Sequence, residues 1–341
     1  MYSFSIIIVS WNALNHLKTF LPSVAETNYP DLEIILADNA STDGSKEWVN
    51  ENFPEISVAI FDENYGYCGG NNRGAAHASG DILVFLNNDV RVEPDWISHL
   101  NDCFEQHPEA AALQPKMRSF SNPGEFEYAG AAGGFLDRYG YPFCRGRIFD
   151  TVEKDDGQYD VSTEIFWASG AALAIRKKQF EELGGFDEDF EFHMEEIDLC
   201  WQLWNRGYTV RYCPESTVYH LGGGSMPMGS PRKIYYNYRN NLTMLWKNCS
   251  TRTLPWRFSV RYALDILAAL RSLLTGEWRE VIAIVRAHLH FWKLFPQVLR
   301  KRKRLQEART NHEDPPPLLE VNLVWQYFLK KKRRFFELLG E

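Results

Sequence analysis

The chain has 341 residues, 45% of them hydrophobic and 24% charged. That balance excludes a disordered or fibrous protein and predicts a well-filled core in one large domain with an appendage, or in two domains. The net charge of −8 hides an asymmetry: from Thr251 onward there are 18 basic and 9 acidic residues, so the first 250 residues carry −17, which argues against nucleic-acid binding. Six scattered cysteines with no C-x-x-C pair argue against a zinc knuckle or a disulfide framework and fit a reducing, cytosolic setting. No apolar stretch reaches transmembrane length.

The N-terminus runs from Met1-Tyr2-Ser3 straight into an apolar segment, so residues 4 to 11 read as a strand and not as a signal peptide. Asn12 is the expected cap of a helix with Leu14, Leu17, Phe20 and Leu21 at helical spacing. A second strand at 32 to 37 ends in the turn-forming cluster Asp38 to Ser45, followed by a helix through Trp48. A third strand over 56 to 61 precedes Asn64 to Gly74 and a short helix to Ala78. The run Ile82 to Leu86, bounded by Gly80 and by Glu93-Pro94-Asp95, predicts a strand buried on both faces, with a helix from Pro94 to about His107 after it. Alternation of this kind implies a doubly wound, mostly parallel α/β sheet.

Beyond Ala110 the pattern loosens, and the glycine- and aromatic-rich segment 117 to 164 predicts hairpins and a long loop near a site. A small-residue strand at 169 to 175 follows. Next come a helix closed by Gly184, a helix from Glu195 with Ile197, Trp201 and Trp204 on one face, and short strands at 208 to 213 and 216 to 219 that lead to His220 to Ser225. After Pro231 the chain reads as helices to its end, interrupted at Pro255, Pro296 and Pro315 to Pro317.

Four polar clusters stand at strand ends or helix starts: Asp38 to Asp43, Asn64 to Gly74, Asn87-Asn88-Asp89, and Glu195 to Asp198 with His220. In a doubly wound sheet the first three share one edge, where ligands collect, and their acidic, amide and glycine character suits a nucleotide. Each also has a plainer reading: polar turns, a glycine turn needed for packing, a solvated helix start and a structural histidine. Gly69, Gly70 and Asn71 are expected to open a helix whose free N–H groups face an anion. Glu195 and Glu196, adjacent and partly buried, are expected to have raised pKa values, while Asp198 lies about 200° around the helix from Glu196.

The ordered set Ser5 to Asn12, Ala37 to Ser45, Asn64 to Gly74, Leu86 to Asp89, Phe186 to Phe190, Glu195 to Cys200, Arg206-Gly207-Tyr208 and Val218-Tyr219-His220 resembles the family 2 glycosyltransferases of GT-A fold. It most resembles their rhamnosyltransferase-like branch, over about residues 3 to 248. The resemblance implies that Asp38 and Asn39, with the backbone near Val9 and Trp11, receive the base, and that Gly69, Gly70, Asn71, Asn87 and Asn88 line the nucleotide-sugar site. It implies Asp89 and His220 as ligands of Mn²⁺ or Mg²⁺, with Asn87 where the family's D-x-D motif has Asp. Glu196 stands where the family has its catalytic Asp, with Glu195 beside it and Asp198 as the second choice.

The expected activity is inverting transfer of a sugar such as rhamnose from a UDP- or dTDP-sugar to a lipid-linked or polysaccharide acceptor. Two rivals are a nucleotidyltransferase, which would need a basic glycine-rich loop where Trp11-Asn12-Ala13-Leu14 stands, and a non-catalytic sugar-nucleotide-binding scaffold. The expected organisation is a catalytic domain over 1–250, with a nucleotide half to about 115 and an acceptor half over 116–250, and a basic helical extension over 251–341. The extension, with cationic clusters at 299–304 and 330–336, reads either as a surface that meets anionic lipid at the inner face of the plasma membrane or as helices packed on the catalytic domain or a second copy.

Overall fold

The structure, a computed structural model, describes every residue except 223–228, 311, 312, 316 and 341. The expected Gly223-Gly224-Ser225 segment and Pro316 therefore lie outside the described residues. The N-terminal half alternates as β1 (Phe4–Ser10), α1 (Leu14–Ala25), β2 (Leu32–Asp38), α2 (Ser45–Asn52), β3 (Ser57–Ile60), α3 (Gly66–Ala75) and β4 (Ile82–Asn87). It continues through β5 (Val90–Val92), α4 (Trp96–Gln106) and β6 (Ala110–Ser119). Ile82 to Leu86 are almost completely buried, as an apolar run between two helical layers must be. The register of the parallel pairs sets Ser10 opposite Asp38 and Val9 opposite Asn87, so three polar strand tips end in one row.

The glycine-rich segment forms four short strands, β7 (Gly134–Asp137), β8 (Pro142–Cys144), β9 (Arg147–Ile148) and β10 (Thr151–Val152). It is followed by β11 (Thr163–Glu164), β12 (Ala172–Arg176), α5 (Lys177–Leu183), α6 (Glu195–Asn205) and β13 (Thr209–His220). The main sheet runs β11-β13-β6-β12-β4-β1-β2-β3, with β5 added on β13. The parallel winding holds from β3 to β4. Beyond that the sheet is mixed, because β12 lies antiparallel between β4 and β6. The two short strands expected around Pro214 are one strand with a bulge, and its pairing of His220 with Val90 sets the histidine beside Asp89.

The C-terminal part contains α7 (Pro231–Asn248), α8 (Leu254–Leu274), α9 (Trp278–Glu307), β14 (Leu318–Leu319) and α10 (Phe335–Leu339). It is not wholly helical. Strand β14 pairs in parallel with β7, completing a second sheet of order β10-β9-β8-β7-β14, and Asp137 receives the Leu323 N–H at 3.0 Å. Among the described residues no helix is long and apolar enough to cross a membrane.

Two local expectations are corrected. Asn12 does not cap α1. It sits at φ 49° and accepts the Thr42 N–H at 2.8 Å, while Asp43 takes the Leu14 N–H at 2.8 Å. Helix α3 starts three residues before Gly69, so the N–H groups of Gly69, Gly70 and Asn71 are spent on the helix ladder and do not face an anion. These glycines serve packing: a Cβ on Gly70 would stand 2.7 Å from Asn39 Nδ2 and 2.9 Å from Val9 Cγ1, and one on Gly74 would stand 2.6 Å from Ile7 Cγ2. Gly70→Ala should therefore destabilise the protein by about 1–3 kcal/mol and shift the Val9–Asn39 wall, read as a lower melting temperature together with weaker nucleotide binding.

Candidate active site

The sheet register delivers Asp89 and His220 to each other across 131 residues of chain. His220 Nε2 lies 3.1 Å from Asp89 Oδ1, and the Leu221 N–H donates to the Asp89 carbonyl at 3.0 Å. A third group joins them that the sequence did not single out. Glu127 Oε1 stands 3.2 Å from His220 Nδ1, off the line of a good hydrogen bond, and Glu127 Oε2 accepts the Ala129 N–H. All three side chains are buried. Burial opposes charge on His220, yet the two carboxylates outweigh it and lift the imidazole to about 10. Asp89 is held below the usual carboxylate range, because the His220 partnership exceeds the cost of burial.

Among the described residues no three His, Cys, Asp or Glu side chains form a closed metal cage. Asp89 and His220 instead offer an oxygen and a nitrogen, with Glu127 behind the ring. That places an outer carboxylate beside the far nitrogen of a histidine free to ligate, and it leaves most of an octahedral shell to other donors.

The nucleotide-side residues gather at the adjoining strand tips. Asp38 is fully buried: Oδ2 accepts the Ser41 N–H at 3.2 Å, whereas Oδ1 has no hydrogen-bond partner, and neither does the Ser10 hydroxyl. Asn39 donates to the Gly66 carbonyl at 2.9 Å and leaves its own Oδ1 without a partner. Trp11 is 55% exposed at the rim, and Asn88 Nδ2 bonds the Val9 carbonyl at 3.2 Å. Asn87 receives the sheet, its N–H donating to the Ala171 carbonyl at 3.0 Å.

From Ala171 the chain leads directly to the third cluster. Tyr67 donates to the Gly170 carbonyl at 2.6 Å, and a Cβ on Gly170 would stand 3.7 Å from Glu196 Cβ. The Ser169 hydroxyl bonds the Ala129 carbonyl and the Ala129 N–H bonds Glu127, so one connected network joins Ser169, Glu127, His220 and Asp89, with Glu196 beside the neighbouring Gly170. Burial raises Glu196, and the N–H groups at the start of α6 pull it back, leaving it at about 7 with Oε2 unpartnered. Glu195 is more deeply buried. Burial first, and then Glu196, push its carboxyl well above the usual range, so it stays neutral.

Asp198 differs in kind. Its oxygens are taken by Gln202 at 2.7 Å, Lys247 at 2.8 Å and Asn248 at 2.7 Å, and it faces α7 rather than a cleft. The structure thus removes Asp198 from the choice of base and makes it an anchor. Helix α6 is also more than amphipathic: every residue from Ile197 to Asn205 is buried, not only the face of Ile197, Trp201 and Trp204.

The loop before α6 holds Glu191, His193 and Met194 at φ 62°, 66° and 76°, a strained left-handed backbone. Helix α7 clamps it. Asn240 Nδ2 bonds the carbonyls of Phe190, Phe192 and His193 at 2.7–2.9 Å, and Arg239 reaches Glu191 and the carbonyls of Asp189 and Phe190. Burial drives His193 down to about 4, so its imidazole is neutral.

The fold is that of solved GT-A glycosyltransferases. S. aureus TarS in complex with UDP-GlcNAc superposes with a TM-score of 0.56 at 14% identity, over 90% of this chain and 89% of that one. GalNAc-T7 with UDP, GalNAc and Mn²⁺ gives 0.59 at 17%, over 74% of this chain and 49% of that one. In sequence, the N-acetylglucosaminyl-diphospho-decaprenol L-rhamnosyltransferase of Mycobacterium tuberculosis is 26% identical over 78% of this chain and 91% of its own length. The dTDP-rhamnosyl transferase RfbF of Shigella flexneri is 21% identical over 81% and 92%. The family model for glycosyl transferase family 2 matches residues 5–184, and the chain belongs to that family. It is a glycosyltransferase with rhamnosyltransferases among its relatives.

Proposed function

We propose that the protein transfers a deoxyhexose, rhamnose first among the candidates, from dTDP- or UDP-sugar to a hydroxyl of a lipid-linked glycan, with inversion at the anomeric carbon, at the cytoplasmic face of the membrane. The observation that carries this reading is the half-buried Glu196, whose Oε2 has no hydrogen-bond partner and whose carboxyl titrates at about 7, beside Gly170 and the Ser169–Glu127 link to the Asp89–His220 pair. The two rhamnosyltransferase relatives support the donor and acceptor classes by their own names.

Glu196 Oε2 takes the proton of the acceptor hydroxyl as that oxygen forms its bond to the anomeric carbon and the bond to the diphosphate breaks. Glu195, kept neutral, lets Glu196 ionise without a second negative charge beside it. Asp38 Oδ1, a buried acceptor without a donor, suits the imide N–H of a thymine or uracil base. Asp89 and His220 would hold a divalent cation, which supplies neutralisation of the leaving diphosphate. His220 would give up its Nε2 proton to do so, with the Glu127 carboxylate 3.2 Å from Nδ1 as its electrostatic partner.

The test is incubation with dTDP-rhamnose and an N-acetylglucosaminyl diphospholipid, following the rhamnosylated lipid by mass. Turnover should disappear in EDTA and return with Mn²⁺ or Mg²⁺, and Asp89→Ala should abolish the recovery. Undiminished turnover in EDTA would remove the ion from the reading, and a panel of other UDP- and dTDP-sugars reassigns the donor if rhamnose is not transferred.

A further inference from the structure

We propose that the outer face of the α8–α9 hairpin is a docking surface for an anionic lipid bilayer. Trp278, Ile282, Val285, Leu289, Trp292 and Leu299 on α9 are all 43–67% exposed. Apart from the last step, their spacing alternates four and three residues, and the exposed Pro296 fills that step, so they form one continuous apolar stripe. Leu267, Leu270 and Leu274 extend the exposed apolar surface onto α8. A surface of this extent on a folded protein marks an interaction site.

The charge pattern selects the occupant. Arg279, Arg286, Lys293 and Arg300 each follow a stripe residue, recur every seven positions and are exposed, and among the described residues none of the four is ion-paired. No acidic residue occurs from Val281 to Gln306. In a symmetric pair of hairpins these cations would face their own copies and repel, whereas at a bilayer surface they meet lipid phosphates while the two tryptophans sit at the headgroup level.

The neighbouring basic cluster plays a different part. Lys301 bonds Asp187 and Asp189, and Arg302 bonds the carbonyls of Trp246 and Cys249, so they fasten α9 to the catalytic domain.

The hairpin also projects on the side of the active site. Tyr235 meets His290, and Trp246 packs on Phe295 and accepts from Arg302, so α7 and α9 run parallel. Trp278 lies 12 residues before His290, against four from Pro231 to Tyr235. At 1.5 Å per residue the hairpin tip extends about 12 Å beyond the start of α7. That helix start places Lys233 over the Tyr128 ring, next to Glu127. Docking there would bring the Glu127–His220 side of the site to the membrane surface.

The docking does not depend on the donor or on turnover, so its test stands apart from the catalytic reading. The full chain is floated with vesicles of phosphatidylcholine alone, or of equal parts phosphatidylcholine and phosphatidylglycerol. It should rise with the anionic vesicles and stay behind with the neutral ones. Ile282→Glu with Leu289→Glu should lower the partition at least about tenfold, and Arg286→Ala with Lys293→Ala about fivefold per cation. Circular dichroism and melting temperature should match the parent in both. Failure of the parent to float with anionic vesicles, or partition unchanged in both variants, overturns the proposal. So does a dimer in sedimentation that Ile282→Glu with Leu289→Glu dissociates while vesicles leave the parent unbound, which would make a second copy the occupant.

Discussion

Glu196→Gln should lower kcat by about 10²–10⁴-fold while leaving donor affinity within a few fold. The amide keeps the shape of the side chain but cannot take the acceptor proton. The parent enzyme should show an acid limb near pH 7, because the carboxyl titrates at about 7 and works only unprotonated. The stability effect has the opposite sign. A carboxyl whose folded pKa is raised from 4.5 to about 7 favours the folded state while protonated, and that contribution fades as pH rises from the unfolded to the folded value. At pH 8 the glutamine variant should therefore melt higher than the parent, by an amount equivalent to about 1–3 kcal/mol. A variant that is less active and less stable at pH 8 would point to damaged folding. Full activity would remove Glu196 as the base.

Lys247→Met carries the largest expected loss of stability, about 3–5 kcal/mol, because it leaves the buried Asp198 without its counter-charge and Asp187 with Lys301 alone. Lys247 is almost fully buried and bonds Asp198 at 2.8 Å and Asp187 at 2.5 Å. Burial works against charge on all three. It raises Asp198, whereas on Asp187 the ammonium groups of Lys247 and Lys301 prevail and hold the carboxyl at about 2. The Asp187 contribution is present above about pH 4 and is lost as pH falls through about 2. In the methionine variant the penalty at pH 7 should shrink as the medium is acidified and Asp198 takes a proton. Adding Asp198→Asn should recover part of the loss. Differential scanning calorimetry reads both effects, and an unchanged melting temperature in Lys247→Met would show that the cluster is not a counter-charge device. Activity should fall as well, since Asp187 opens the loop that α7 clamps in front of Glu196.

The apolar runs of β1, β2 and β4 and the polar residues at their tips were legible because a strand buried on both faces has few alternatives in composition. The direction of β12 was not. A five-residue apolar strand fits parallel or antiparallel, and its direction was fixed only by pairing with β4 on one side and β6 on the other. The glycines of α3 read equally as an anion cradle or a packing surface, and the approach of Val9 and Asn39 to Gly70 decided for packing. Glu127 gave no signal, one carboxylate in a segment of glycines and aromatics. Lys247 lies 49 residues from Asp198, with nothing local to pair them.

The sequence by itself thus determined which residues could carry chemistry: Asp38, Asp89, Glu195, Glu196 and His220, each at a strand end or helix start where local backbone leaves polar groups free. The tertiary structure decided the surroundings of each one. Charge and protonation depend on neighbours brought in from far along the chain and on the water they exclude. Two adjacent glutamates became one carboxyl held well above the usual range and one that titrates at about 7, Asp198 became an anchor, and His220 acquired the carboxylates on both sides of its ring.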